Sequence, residues 1–405
     1  NINVILSAFG SSERLSVLKL TLPLGISFYT FQSVSYVVDV SRGKHEPQKN
    51  FFKYAMFVSF FPQLLQGPIG RYERLGEQLY EGHAYDLKNI QFGLQRILWG
   101  MLKKMVLADR VNAAVTLIFN NYWNYGGWIN VFGVILYSIQ LYADFSGGID
   151  ITIGIAQMFG VTMDENFRQP YFSRSIGEFW RRWHITLGTW MKDYIFYPFS
   201  LSKCMNKFGK WCKKTFGNNV GKLLPVSLAN LLVFFIVGIW HGAAWKYIMY
   251  GMYNGVIIAA SGMLAPVYAR IHESLHINPK SWWYQVFCII RTFILVNIGF
   301  YFDMAPDLHA ANVMLSDTVT KAHLSQISMA TVKAVGLTAQ DLIIVAAGCI
   351  IIFVVSVLKE KDIKIRETVA SRNIVLRWFI YIVFIMFILI YGSTSTTSDF
   401  IYANF

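Results

Sequence analysis

The chain has 405 residues, 55% of them hydrophobic and only 15% charged, with a mean hydropathy of +0.41. Soluble domains carry about 25% charged residues, and a soluble chain of this length would split into two or more domains. The long apolar runs instead predict an all-α polytopic membrane bundle, one domain over 1–405, and the net charge of +13 lies in short clusters between those runs. Such clusters are topology determinants rather than a nucleic-acid surface, so the bilayer is the expected partner and nucleic acid is not.

The opening NINVILSAFG has no initiator Met and no signal-peptide pattern; the expectation is that N-terminal helices of the full-length protein are missing before it. The first predicted span covers 17–40. A shorter piece, 51–69, ends in FFPQLLQGPIG, and Pro62, Gly67 and Pro68 make it a re-entrant or broken helix. Apolar stretches follow at 90–119 and 128–160. Within the second, LYADFSGGIDITIGIAQMFG places Asp144, Ser146 and Asp150 in an apolar run. Acids inside a span need partners or water, and either a helix break held by side-chain hydrogen bonds or a functional patch accounts for them.

Residues 178–193, EFWRRWHITLGTWMKD, read as one amphipathic interfacial helix. Trp180, His184, Leu187 and Met191 fall on one face, and Glu178, Arg182, Thr189 and Asp193 on another, with Glu178 and Arg182 spaced for an i, i+4 pair. A hydrophilic loop follows. Six lysines and no acid lie between Ser200 and Lys222, which places that loop in the cytoplasm. Further spans are predicted at 223–245, 247–267, 282–302, 342–358 and 374–391. The basic 359–377 loop then returns to the cytoplasm, and the stretch containing Asp303 and Asp307 falls outside. The four cysteines form no CxxC pair and no metal spacing, so neither a metal site nor a disulfide is expected.

Two histidines sit in apolar or aromatic context, His184 in the stretch above and His241 in FFIVGIWHGAAW. Counted from Pro225, His241 lies about 24 Å along its helix. An ionisable side chain at such depth points to function, although a structural histidine bonded to a neighbouring helix also satisfies the pattern. Two histidines suit acyl transfer to a hydroxyl: a buried neutral imidazole takes the hydroxyl proton while a second polar group orients the nucleophile or stabilises the oxyanion. No nucleophile-elbow Ser or Cys is present, so direct transfer is simpler than a covalent acyl-enzyme. A proton-relaying transporter or flippase and a structural scaffold are the readings from other classes.

Taken together, ENFRQPYFSRSIGEFWRRWHITLGTWMKDYIFYP, VGIWHGAAWKYIMYGMYNG, LPLGISFYTFQSVSYVVDVSRG, SFFPQLLQGPIGRY, LYADFSGGIDITIG and the closing DFIYANF resemble the membrane-bound O-acyltransferase family, in its bacterial alginate O-acetyltransferase-type branch. The resemblance implies a helical bundle with a central funnel in the plasma membrane of a bacterium, with His241 as the catalytic base and His184 as its partner. Candidate substrate-binding residues are Trp180, Trp183, Asp144, Ser146, Asp193, Trp240 and Asn254, the last standing where relatives often carry His. It further implies that no cofactor is held. The donor is an acyl thioester such as acetyl-CoA, and the acceptor is an extracytoplasmic polysaccharide reached through an SGNH-type partner enzyme. The sister branch, which transfers D-alanine from a carrier protein to teichoic acid, is the alternative.

Overall fold

The computed structural model describes residues 25–326, 328–393 and 400. The start of the first predicted span and most of the closing DFIYANF lie outside these residues. Among the described residues the fold is helical, without strands; Phe167 and Trp183 make an isolated antiparallel bridge.

Helix α1 (Ile26–Ser41) starts at Gly25, whose φ of 73° and whose contact with the Leu64 carbonyl leave no room for a side chain. The predicted broken element is seen as α2 (Phe51–Val58) and α3 (Phe61–Gln66), with Pro62 at the start of the second, where its missing N–H costs no helical bond. A long arm then runs through α4 (Leu87–Met101), a π-helical stretch (Leu102–Ala108) and α5 (Asp109–Asn120). It lies along α6 (Trp128–Met158), an unbroken helix of 31 residues. The helix break considered for Asp144 and Ser146 is therefore absent. Glycines bring α4 and α6 close: a Cβ on Gly100 would lie 2.5 Å from the Gly147 carbonyl oxygen, and one on Gly93 2.6 Å from that of Gly154. Such small-residue contacts let helices pack where hydrophobic exclusion offers little drive.

The expected single helix over 178–193 is two, α7 (Ile176–Arg182) and α8 (Ile185–Met191), separated at Trp183 and His184. The expected loop over 200–222 is also helical. Helix α9 (Lys203–His241) bends sharply at Gly217, φ 82° and ψ 168°. Its first limb buries Met205, Gly209 and Cys212, one face of a helix, and folds back so that Gly209 meets Pro225 and Gly221 meets the Lys213 backbone. The lysines occupy the solvent face of that limb, which is why charge count concealed it.

Helix α10 (Trp245–Met263) follows and bends by 56° into α11 (Ala265–Ser274), within the predicted 247–267 span. Helices α12 (Trp282–Met304), α13 (Leu308–Thr320), α14 (Ala339–Glu360) and α15 (Ile374–Tyr391) complete the bundle. Five described helices are long and apolar enough to cross a membrane: α6, the Val220–His241 limb of α9, α12, α14 and α15. The core gathers around α5, α6 and α12, while α14 and α15 bury only 17% and 6% of their apolar windows, the profile of lipid-facing helices.

Candidate functional site

The break between α7 and α8 is built locally. Ser175 caps α7 through its hydroxyl, which accepts from the Glu178 N–H at 3.1 Å, and Glu178 and Arg182 pair at 2.9 Å as their spacing predicts. Burial alone would raise the Glu178 carboxyl pKa, but the Arg174 backbone N–H and the Arg182 and Arg174 guanidinia outweigh it and hold it below the usual value. Trp183 then turns extended against Phe167, and His184 takes a left-handed conformation, φ 46°. A non-glycine residue in that region is strained and persists only where its surroundings impose it.

Asn166 imposes it. Its side-chain oxygen meets three donors: the Thr186 N–H at 3.0 Å, the Thr186 hydroxyl at 2.9 Å and His184 Nδ1 at 3.2 Å, while its backbone carbonyl accepts from the Ile185 N–H at 3.0 Å. The Thr186 N–H can only donate, so the contacting Asn166 atom is the oxygen. His184 Nδ1 must therefore carry a proton, and a neutral ring then bears its lone pair at Nε2. Thr186 Oγ1 in turn accepts from the Ile69 N–H at 3.0 Å, linking this turn to the segment after α3.

His241 is the last residue of α9, which ends because Gly242 adopts φ 153°. His241 thus caps a span rather than lying midway along it. Its burial (6% exposed, against 3% for His184) comes from rings: Trp240 at 4.9 Å between centroids, Tyr250 at 5.8 Å and Tyr247 at 6.2 Å. Trp240 also meets His184, at 6.0 Å, so one indole touches both imidazoles. Phe145 closes on His184 edge-on at 4.8 Å.

Of the other predicted residues, the Trp180 indole N–H donates to Asn254 Oδ1 at 3.0 Å, and Asn254 donates to the Tyr250 carbonyl at 2.9 Å. Asn254 thereby ties α7 to the helix carrying Tyr250. Trp183 is packed among Phe167, Phe179 and Tyr142. Asp144 and Ser146 belong to a charge network instead: Lys104 meets Asp144 at 2.6 Å and Asp109 at 3.0 Å, while Lys103 donates to Ser146 at 2.8 Å and pairs with Asp150. Arg96 joins Asp150, at 2.9 Å, to Glu165. Asp193 is apart from the histidines, in a partly exposed pair with Arg71 at 3.0 Å. Asn166, Thr186, Tyr247, Tyr250 and the two lysines were not singled out from sequence; only the polar Asn166 beside the aromatic run could have drawn notice. No group of three or more His, Cys, Asp or Glu side chains among the described residues is placed to hold a metal.

Comparison with known proteins identifies the family. A family model described as MBOAT, membrane-bound O-acyltransferase family, matches residues 9–302. The chain is 34% identical over 316 residues to a protein of Pseudomonas syringae pv. tomato named probable alginate O-acetylase AlgI, covering 78% of this chain and 55% of that protein. A Helicobacter pylori peptidoglycan O-acetyltransferase is 31% identical over 353 residues, 78% of this chain and 61% of that one. A Bacillus subtilis teichoic acid D-alanyltransferase is 29% identical over 300 residues, 71% and 69% respectively. The chain spans little more than half the length of the alginate-type relatives it matches.

Proposed function

Because the chain belongs to the membrane-bound O-acyltransferase family, we propose that it moves an acetyl group from a thioester donor, acetyl-CoA, on the cytoplasmic side of a bacterial plasma membrane to a hydroxyl presented from the outer side. The final acceptor in this reading is a cell-surface or exported polysaccharide, and an extracytoplasmic SGNH-type enzyme completes the transfer. The observation that carries the reading is the pair of buried histidines sharing Trp240, one of them with its tautomer set by Asn166.

In this scheme His241 takes the proton of the incoming hydroxyl as its oxygen attacks the thioester carbonyl carbon. The C–S bond breaks and the thiolate receives that proton from the imidazolium, leaving the ester and the free thiol. His184, with its Nδ1 proton given to Asn166, offers a lone pair at Nε2. That favours orienting the hydroxyl over stabilising an oxyanion, which needs a donor. Trp180, Trp183, Trp240 and Asn254 shape the surrounding wall.

His241→Ala and His184→Ala, expressed in cells at wild-type abundance, are expected to lower polysaccharide O-acetylation by at least about 100-fold; wild-type acetylation in either would end the assignment. D-alanyl transfer to teichoic acid is the second reading, favoured by the larger share of the Bacillus subtilis relative that the chain covers. Incubating purified protein with labelled acetyl-CoA, or with a D-alanyl-charged carrier protein, separates the two by which label is transferred.

A further inference from the structure

An apolar groove of about 350 Å³ opens on the periphery of the bundle, lined by neither histidine. Cys349, Ile352, Phe353 and Ser356 of α14 form one wall, at i, i+3, i+4 and i+7, and Tyr142 and Tyr171 lie in the floor. Seven residues of helix make the wall about 10 Å long. Helix α14 is lipid-facing, and Phe353 is 57% exposed. The Tyr171 hydroxyl is turned away to the Ser138 carbonyl at 2.7 Å, so its ring offers carbon to the groove. Water there would find few partners, whereas hydrocarbon would fill it at no polar cost.

One end of the groove carries charge. Lys359 lies in the last turn of α14, three residues after Ser356, and Arg168 precedes Gln169, another lining residue. Both are exposed and make no close ion pair among the described residues, although Lys359 is near enough to interact electrostatically with Asp150. Arg182 and Glu360 pair beside them, and the Arg182 guanidinium also reaches the Arg168 carbonyl at 3.4 Å. The positive-inside rule places this end in the inner leaflet. A hydrocarbon slot ending in exposed cations matches a lipid tail joined to an anionic headgroup.

We infer that this groove holds one acyl chain of an anionic inner-leaflet phospholipid whose phosphate rests against Lys359 and Arg168. The bound chain lies against Tyr142 and Tyr171, whose rings sit 6.3 Å from Trp183 between centroids, next to His184. The site is separate from the acyl-transfer chamber and does not depend on which donor or acceptor is used.

The test is native mass spectrometry of the purified chain after detergent delipidation and addition of equal phosphatidylglycerol and phosphatidylethanolamine. Wild type is expected to retain one phosphatidylglycerol preferentially. Lys359→Glu combined with Arg168→Glu should lower that retention at least about fivefold and leave phosphatidylethanolamine unchanged. Ser356→Trp, which fills the mouth from the lipid side, should remove the retained lipid whatever its headgroup. Equal retention of both lipids by wild type, or wild-type phosphatidylglycerol retention in the double-Glu variant and in Ser356→Trp, overturns the inference.

Discussion

Asn166→Ala isolates what holds His184 in its left-handed turn. The Asn166 side-chain oxygen accepts three buried bonds, two from Thr186 and one from His184 Nδ1. A buried hydrogen bond contributes about 1 kcal/mol net, and an orphaned donor costs about 1–3 kcal/mol, so the variant should lose on the order of 3–5 kcal/mol of stability. The His184 bond alone, at about 1 kcal/mol, corresponds to about fivefold in the population of the oriented ring. Activity per folded molecule should therefore fall by at least about fivefold, up to the loss of at least about 100-fold expected for His184→Ala. Thr186→Val is the paired control. It removes the Thr186 hydroxyl, and with it the acceptor of the Ile69 N–H, but leaves the His184 bond in place. It should destabilise while activity per folded molecule persists. The assay is base-released acetate from cell polysaccharide, divided by folded protein measured by size-exclusion chromatography of a fluorescent fusion. Wild-type activity per folded molecule in Asn166→Ala, or an equal loss in Thr186→Val, refutes the orienting role.

Asp150→Asn leaves the buried Lys103 without its carboxylate and Arg96 with only Glu165; breaking such a pair costs about 3–5 kcal/mol, read as lost monodisperse yield after detergent extraction, and adding Lys103→Met should recover part of that yield. Gly100→Val puts a side chain where the Gly147 carbonyl oxygen is 2.5 Å away, whereas Gly262 faces open space; the Val variant should fall in abundance and Gly262→Ala should not. Glu178 titrates below its ordinary value, so its contribution to stability is complete above about pH 4.3 and disappears as pH falls through the lowered value. Thermal unfolding of Glu178→Gln should therefore differ from wild type near neutrality and converge with it in acid; a constant gap would contradict the pairing.

Period and charge were enough to place α6, α12, α14 and α15, because each carries a long apolar run whose partner is chiefly lipid or another apolar face. They were not enough where a distant contact decides the local backbone. The 178–193 stretch does carry helical spacing, and Trp180, Leu187 and Met191 do pack inward, yet the helix stops at Trp183 because Asn166, 18 residues before His184, offers one oxygen to three donors. The same limit applies to Asp144 and Ser146. That acids in a span need partners was evident, but the partners are two adjacent lysines 40 and 43 residues earlier, and only the widened π turn at Leu102–Ala108 sets both against α6. The histidines were legible as anomalies of polarity. Their shared neighbour was not, since Trp240 meets His184 only after α9 has turned at Gly217 and run back across the bundle. This also sets what a substitution at Trp240 would do: it would disturb both imidazoles at once. Trp240→Phe, which keeps a ring at that contact, should then preserve more activity than Trp240→Ala by a larger margin than it preserves stability.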